Sequence, residues 1–131
     1  MNTVIGSLLI LCLLPIICSW VGGYFRRQQL GSVDNKEPRI QSQQLSGAGA
    51  RAVAAQANSW EALAVFSAAV LALFIGGVDL RSISTLVMVF VALRIAYIPA
   101  YLGNIDKLRS LLFLGSYGIC MYFFYLALST H

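Results

Sequence analysis

Charge is what this sequence has least of. Only 11% of its 131 residues are charged, nine Lys or Arg against five Asp or Glu. A soluble domain carries roughly a quarter, so a water-covered surface of ordinary composition is excluded. Histidine is scarcer still: the single His131 is the last residue. A histidine-based metal centre or catalytic triad is therefore not expected, and no metal site is assigned. The three cysteines, Cys12, Cys18 and Cys120, have no CxxC spacing and lie within apolar runs, where thiols act as small packing groups. No glycine-rich phosphate loop occurs. The net charge of +4 is distributed as a topology signal and gives no reason to expect nucleic acid.

What is abundant is long apolar runs. Residues 3–25 and 110–128 contain no charge, 52–78 contain only Glu61, and 82–105 only Arg94. About 20 such residues span a bilayer core. The expectation is an all-α integral membrane protein, a bundle of four transmembrane helices near 3–27, 50–77, 81–102 and 107–129. They form one membrane domain over residues 1–131 with a polar loop at 31–49. A signal peptide would need positive charge before a short apolar core. Here Arg26 and Arg27 follow a long one, so the first run is read as a retained helix.

Lys and Arg set the orientation. Arg26, Arg27, Lys36, Arg39 and Arg51 flank or occupy the first loop, Lys107 and Arg109 the third, and Arg81 alone the opposite side. Both termini should face away from the cytoplasm. The short chain suggests a bacterial inner membrane, with the endoplasmic reticulum as the alternative. The basic loop should attract anionic lipid. At 19 residues it is longer than the usual bundle connection, which marks it as a mobile segment or a functional cover. Ala64, Ala68 and Ala72 form a small-residue stripe that permits close helix approach, within or between subunits. Pro99 should kink the third helix.

The few polar groups inside the runs fall at helical spacings. Asn58 and Glu61 are three apart, and Arg94, Tyr97 and Tyr101 stand at i, i+3 and i+7, so each set shares a helix face. A charge at membrane depth faces a bundle interior, a cavity or a partner charge. Two readings of Glu61 stay open: an ion pair with Arg94, or a carboxylate left free for a ligand ammonium with Asn58 beside it. Tyr97 and Tyr101 are either interfacial tyrosines or pocket residues aligned with Arg94. Arg109 and Ser110 open the last run, where an arginine and a hydroxyl at a helix N-terminus suit an anion. The alternative for Arg109 is a snorkelling, lipid-facing side chain.

The run from Arg51 through Asn58-Ser-Trp-Glu61, then Arg94-Ile-Ala-Tyr97-Ile-Pro-Ala-Tyr101, then Leu108-Arg109-Ser110, resembles the MAPEG family. These are membrane-associated proteins in eicosanoid and glutathione metabolism, the microsomal glutathione transferases among them. The resemblance covers nearly the whole chain. It implies a homotrimer of four-helix subunits with glutathione bound between neighbours on the cytoplasmic side. It further implies that Asn58 and Glu61 hold polar groups of the tripeptide, Glu61 its ammonium. Arg94, Tyr97 and Tyr101 would line the pocket, and Arg109 would stabilise the thiolate beside Ser110. Arg27, ending the first run, would be a further basic contact. The chain departs from the family pattern at Ala54 and Ala57, where transferases carry arginines, and at Phe113, where a tyrosine is common. Arg51, about 10 Å from Asn58 along the axis, is left as a replacement cation. The expected function is a glutathione-dependent enzyme that conjugates lipophilic electrophiles or reduces lipid hydroperoxides. The alternative is a non-catalytic relative that binds a lipid or partner protein in the same groove.

Overall fold

The computed structural model describes residues 1–130; His131 lies outside the described residues. Four long helices, α1 (Asn2–Leu30), α3 (Ala48–Ile75), α4 (Ser84–Leu102) and α5 (Asp106–Ser129), are each long and apolar enough to cross a membrane. A short helix, α2 (Pro38–Ser42), sits in the polar loop. The chain is thus an all-helical, multi-pass membrane protein, as its apolar runs imply. α1 packs chiefly on α3 and α4 on α5, while α3 also reaches α4 and α5. α3 and α4 each contact all three other long helices, whereas α1 and α5 do not pack extensively on each other.

Local chemistry sets the boundaries. α1 continues through Arg26–Gln29, all good helix formers, and stops at Gly31, whose φ of 84° lets its N–H reach the Arg27 carbonyl at 3.0 Å. α3 stops at Ile75 because Gly76 and Gly77 turn the chain, Gly77 with φ 73°. The third span was expected to start near 81, but α4 begins at Ser84. Asp79 intervenes, accepting from the Arg81 N–H at 3.0 Å while its carbonyl accepts from the Ser82 hydroxyl at 2.6 Å. Thr130 Oγ1 donates to the Gly76 carbonyl at 2.9 Å, tying the end of α5 to this turn. α2 starts with Pro38 in its first turn, where the missing N–H costs nothing.

The core is an aromatic stack across three helices. Phe66 of α3 lies against Phe90 of α4 at 4.6 Å between centroids and near Phe123 of α5 at 6.4 Å. Phe66 and Phe123 are fully buried. Around them close Leu73, Val87, Cys18 and Cys120. By contrast Ile5, Leu9, Trp20, Phe74, Leu111 and Leu128 point outward, which in a bilayer is contact with lipid chains.

Lipid replaces water as the alternative environment for these side chains, so packing rather than hydration decides the core's stability. Phe66→Ala should therefore lose about 2 to 3 kcal/mol, the cavity contribution of the missing ring. Phe74→Ala, on the lipid face, should lose little. Thermal midpoints of the two detergent-solubilised variants check this; equal losses would contradict it.

Candidate functional site

Arg94 is the most consequential side chain in the molecule. It lies mid-bundle on α4, is 1% exposed, and its Nη2 donates to Asn58 Oδ1 of α3 at 2.6 Å. Its guanidinium also sits over the ring of Tyr97, 4.2 Å from the centroid. Tyr97 meets Tyr101 edge to face at 5.6 Å. Arg109, in the first turn of α5, places its guanidinium 4.6 Å from the Tyr101 centroid. The result is an alternating series of cation, ring, ring and cation. It runs from the bundle interior to the end that carries the polar loop. Cations over ring faces are attracted by the ring quadrupole, more strongly when water is excluded.

Two cavities open along this series. The inner one, about 160 Å³, is bounded by Glu61, Phe90, Arg94, Phe113, Tyr117 and Cys120, with Asn58 at its edge. The outer one, about 480 Å³, is bounded by Asn58, Tyr97, Tyr101, Arg109, Ser110 and Phe113. Asn58 and Phe113 belong to both, so they adjoin as one groove between α3, α4 and α5. Its outer part is cationic and hydroxylic, and its inner part is mostly apolar with Glu61 and Arg94 at one wall. A groove of this kind can take a polar, partly anionic molecule at its mouth and an apolar one deeper in.

Seven of the nine residues singled out from sequence meet here: Asn58, Glu61, Arg94, Tyr97, Tyr101, Arg109 and Ser110. The Glu61–Arg94 ion pair, one of the two readings left open, is not formed. Asn58 is one turn nearer the loop end and takes the Arg94 donor, while Glu61 is exposed and faces the inner cavity. Arg51 is elsewhere, its Nε donating to the Leu102 carbonyl at 3.1 Å, so it laces the start of α3 to the end of α4. Arg27 is exposed and lines neither cavity.

Its neighbour Arg26 was missed. Arg26 lines a third cavity, between α1, α2 and α3, and its Nε and Nη1 are buried without a hydrogen-bond partner. The signal was present in the chain. The buried positions Leu11, Pro15, Cys18 and Gly22 of α1 recur every three or four residues, and the next step is Arg26, not Arg27. Phe113 stands where a tyrosine was a common expectation and stacks on Tyr117 at 5.8 Å, which brings a second aromatic residue to the inner cavity.

Against known proteins, a family model described as MAPEG family matches residues 3–129, nearly the whole chain. No curated protein and no solved structure matches it.

The Arg94 contact makes a prediction about stability. Arg94→Met alone leaves the Asn58 amide without its partner and should cost about 1 to 3 kcal/mol. Adding Asn58→Leu should recover most of that loss, because two apolar groups then replace two polar ones. Glu61→Gln should stay within about 0.5 kcal/mol of wild type. Denaturant midpoints in micelles measure all three; a large loss in Glu61→Gln would mean that Arg94 depends on Glu61 after all.

Proposed function

The chain belongs to the MAPEG family, and from that premise we propose that it is a glutathione-dependent membrane enzyme. In this reading it conjugates glutathione to lipophilic electrophiles or reduces lipid hydroperoxides. The observation that carries it is the groove that joins a cationic, hydroxylic mouth to an apolar interior.

Glutathione brings two carboxylates, one ammonium and a thiol. Its site needs cations, at least one carboxylate, and a means of favouring thiolate. A free thiol of pKa about 8.5 is mostly protonated at neutral pH, and a nearby cation lowers that value. Arg109, fixed over Tyr101 at the mouth, is suited to hold the thiolate, with Ser110 as a second donor. Glu61, not used by Arg94, suits the ammonium. Asn58 keeps one amide oxygen on Arg94 and has its NH₂ free to donate to a carboxylate. A substrate arriving from the bilayer would enter the inner cavity, where the thiolate attacks its electrophilic carbon and displaces the leaving group. At a hydroperoxide it attacks the terminal oxygen, the O–O bond breaks, the alcohol leaves after taking up a proton, and a second glutathione reduces the sulfenic acid to the disulfide with loss of water. Phe90, Phe113 and Tyr117 there offer apolar contact.

The family resemblance also implies a homotrimer. On α3, residues Ala57, Glu61, Ala64, Ala68, Leu71 and Ile75 are all exposed and step alternately by four and three. That is the spacing of a helix seam that packs on a copy of itself. The seam lies between the groove on one side of α3 and the Arg26 cavity on the other. Packing copies along it would bring the Arg26 cavity of one subunit toward the groove of the next. Arg26, rather than Arg27, then supplies the further basic contact.

A second reading, a lipid-binding protein without turnover, is favoured by Ala54 and Ala57 standing where transferases carry arginines. Turnover separates the two. Arg109→Ala should lower glutathione-dependent turnover by about 10²-fold, the usual effect of removing one donor from a developing or bound anion, with the oligomer intact. Unchanged turnover removes Arg109 from the mechanism, and absent turnover in wild type favours lipid binding. In the same preparations, Ala68→Trp should dissociate the oligomer, read by light scattering of the detergent complex. An intact oligomer would count against the α3 seam.

A further inference from the structure

The cavity between α1, α2 and α3, about 460 Å³, is separate from the groove of Arg94 and Arg109. Two guanidinium groups line it, Arg26 from α1 and Arg39 from α2, and no carboxylate does. The remaining polar lining is Ser19, Ser42, Gln43 and Gln56. Arg26 buries Nε and Nη1 with no acceptor. Arg26 is half-buried and Arg39 exposed; two like charges beside one void, with two buried donors unsatisfied, make an arrangement that an anion would stabilise.

Arg39 does not reach this cavity by chance of a loose loop. Gln29 grips Ser46 twice, donating to its carbonyl and accepting from its N–H, both at 3.0 Å. Asp34 accepts from the Lys36 and Glu37 N–H groups at 2.9 and 3.3 Å, and Gln41 bridges Asp34 and Ser32. Leu45 is buried, and Gly49 lies where a Cβ would stand 3.1 Å from Phe25 Cβ. These ties fix α2 as a wall of the cavity.

We propose that Arg39 is an anion-binding residue, carried by α2 to close with Arg26 on one carboxylate or phosphate. The proposal rests on the glutathione reading for one of its two possible ligands, a glutathione carboxylate. The other is the phosphate of an anionic lipid headgroup, since the cavity lies at the end of the bundle that carries the basic loop, the part of the chain expected to attract anionic lipid. Paired arginines suit either, as planar donors that meet oxyanions two bonds at a time.

The test is ligand-induced thermal stabilisation of the detergent-purified full chain, titrated separately with glutathione and with a short-chain phosphatidylglycerol. Wild type, Arg39→Gln and Lys36→Gln are compared, Lys36 being an exposed cation of the same loop outside the cavity. The expected result is that Arg39→Gln needs about tenfold more of one ligand for the same shift, as loss of one charged hydrogen bond implies, while Lys36→Gln matches wild type. Dependence on Arg39 with phosphatidylglycerol but no response to glutathione would keep the anion site and sink the glutathione reading. Equal titrations of wild type and Arg39→Gln with both ligands, an equal loss in Lys36→Gln, or no stabilisation by either ligand, would overturn the assignment of Arg39.

Discussion

The bundle is organised around one buried guanidinium. Moving a charge to membrane depth is expensive, and Arg94 is kept there by a neutral amide and a ring face rather than by a carboxylate. The choice has consequences in every direction. The Asn58 contact fixes the height of α3 against α4. With that height set, Tyr97 and Tyr101 fall on the face toward α5, and Arg109 finds a ring to lie on. Because the partner is neutral, the positive charge of Arg94 is not cancelled, and Glu61 is not consumed. Had Glu61 closed on Arg94, the inner cavity would have lost its one carboxylate and much of its polarity.

How far such an arrangement can be read from the chain depends on whether it follows from helical periodicity or from heights and long-range ties. Periodicity is local. The i, i+3, i+7 spacing of Arg94, Tyr97 and Tyr101 puts them on one face in any α-helix, and the structure keeps them together. The four spans were legible from another local property, the length of their nearly charge-free apolar runs. The choice between Asn58 and Glu61 was not, since both share one face of α3 and only the axial offset between α3 and α4 decides which one meets Arg94. Arg26 was legible in principle, from the buried phase of α1, but adjacent arginines look alike when the helix phase is not followed to its end. The pair of hydrogen bonds between Gln29 and Ser46 joins residues 17 apart across turn-forming sequence, and no spacing rule points to it. So the sequence left the polar loop as either a mobile segment or a functional cover, and the ties that hold it and its helix α2 are visible only in the structure.

The positions of the two adjoining cavities give the groove a direction. At the mouth the lining is Arg109, Ser110 and two tyrosines, and inward it becomes Phe90, Phe113 and Tyr117. Two reactants of opposite solubility can meet there without either being drawn fully into the other's solvent. In the proposed reaction a polar nucleophile would reach the boundary from the aqueous end, and an apolar partner would reach it from lipid. Phe113 sits at the junction of the two cavities and presents no hydroxyl, so the donors near the boundary are the Asn58 amide, Arg109 and Ser110.

Glu61 carries the argument one step further. Its carboxylate is exposed on the isolated subunit, on a helix meant for lipid, about 20 Å from the start of α3 by helical rise. Among the described residues no hydrogen bond or ion pair engages it. A lone carboxylate facing hydrocarbon would be costly, and the same helix face continues as small or apolar exposed positions, Ala57, Ala64, Ala68, Leu71 and Ile75. One arrangement relieves both problems: copies of α3 packed along that seam, which removes Glu61 from lipid and turns it toward a space between subunits. A cation there, the ammonium of a bound ligand or an arginine of the next copy, would complete it. In the proposed assembly, the carboxylate left free by the Asn58–Arg94 contact would be the group that leaves the single subunit incomplete, and the assembly and the proposed ligand site would have one physical cause.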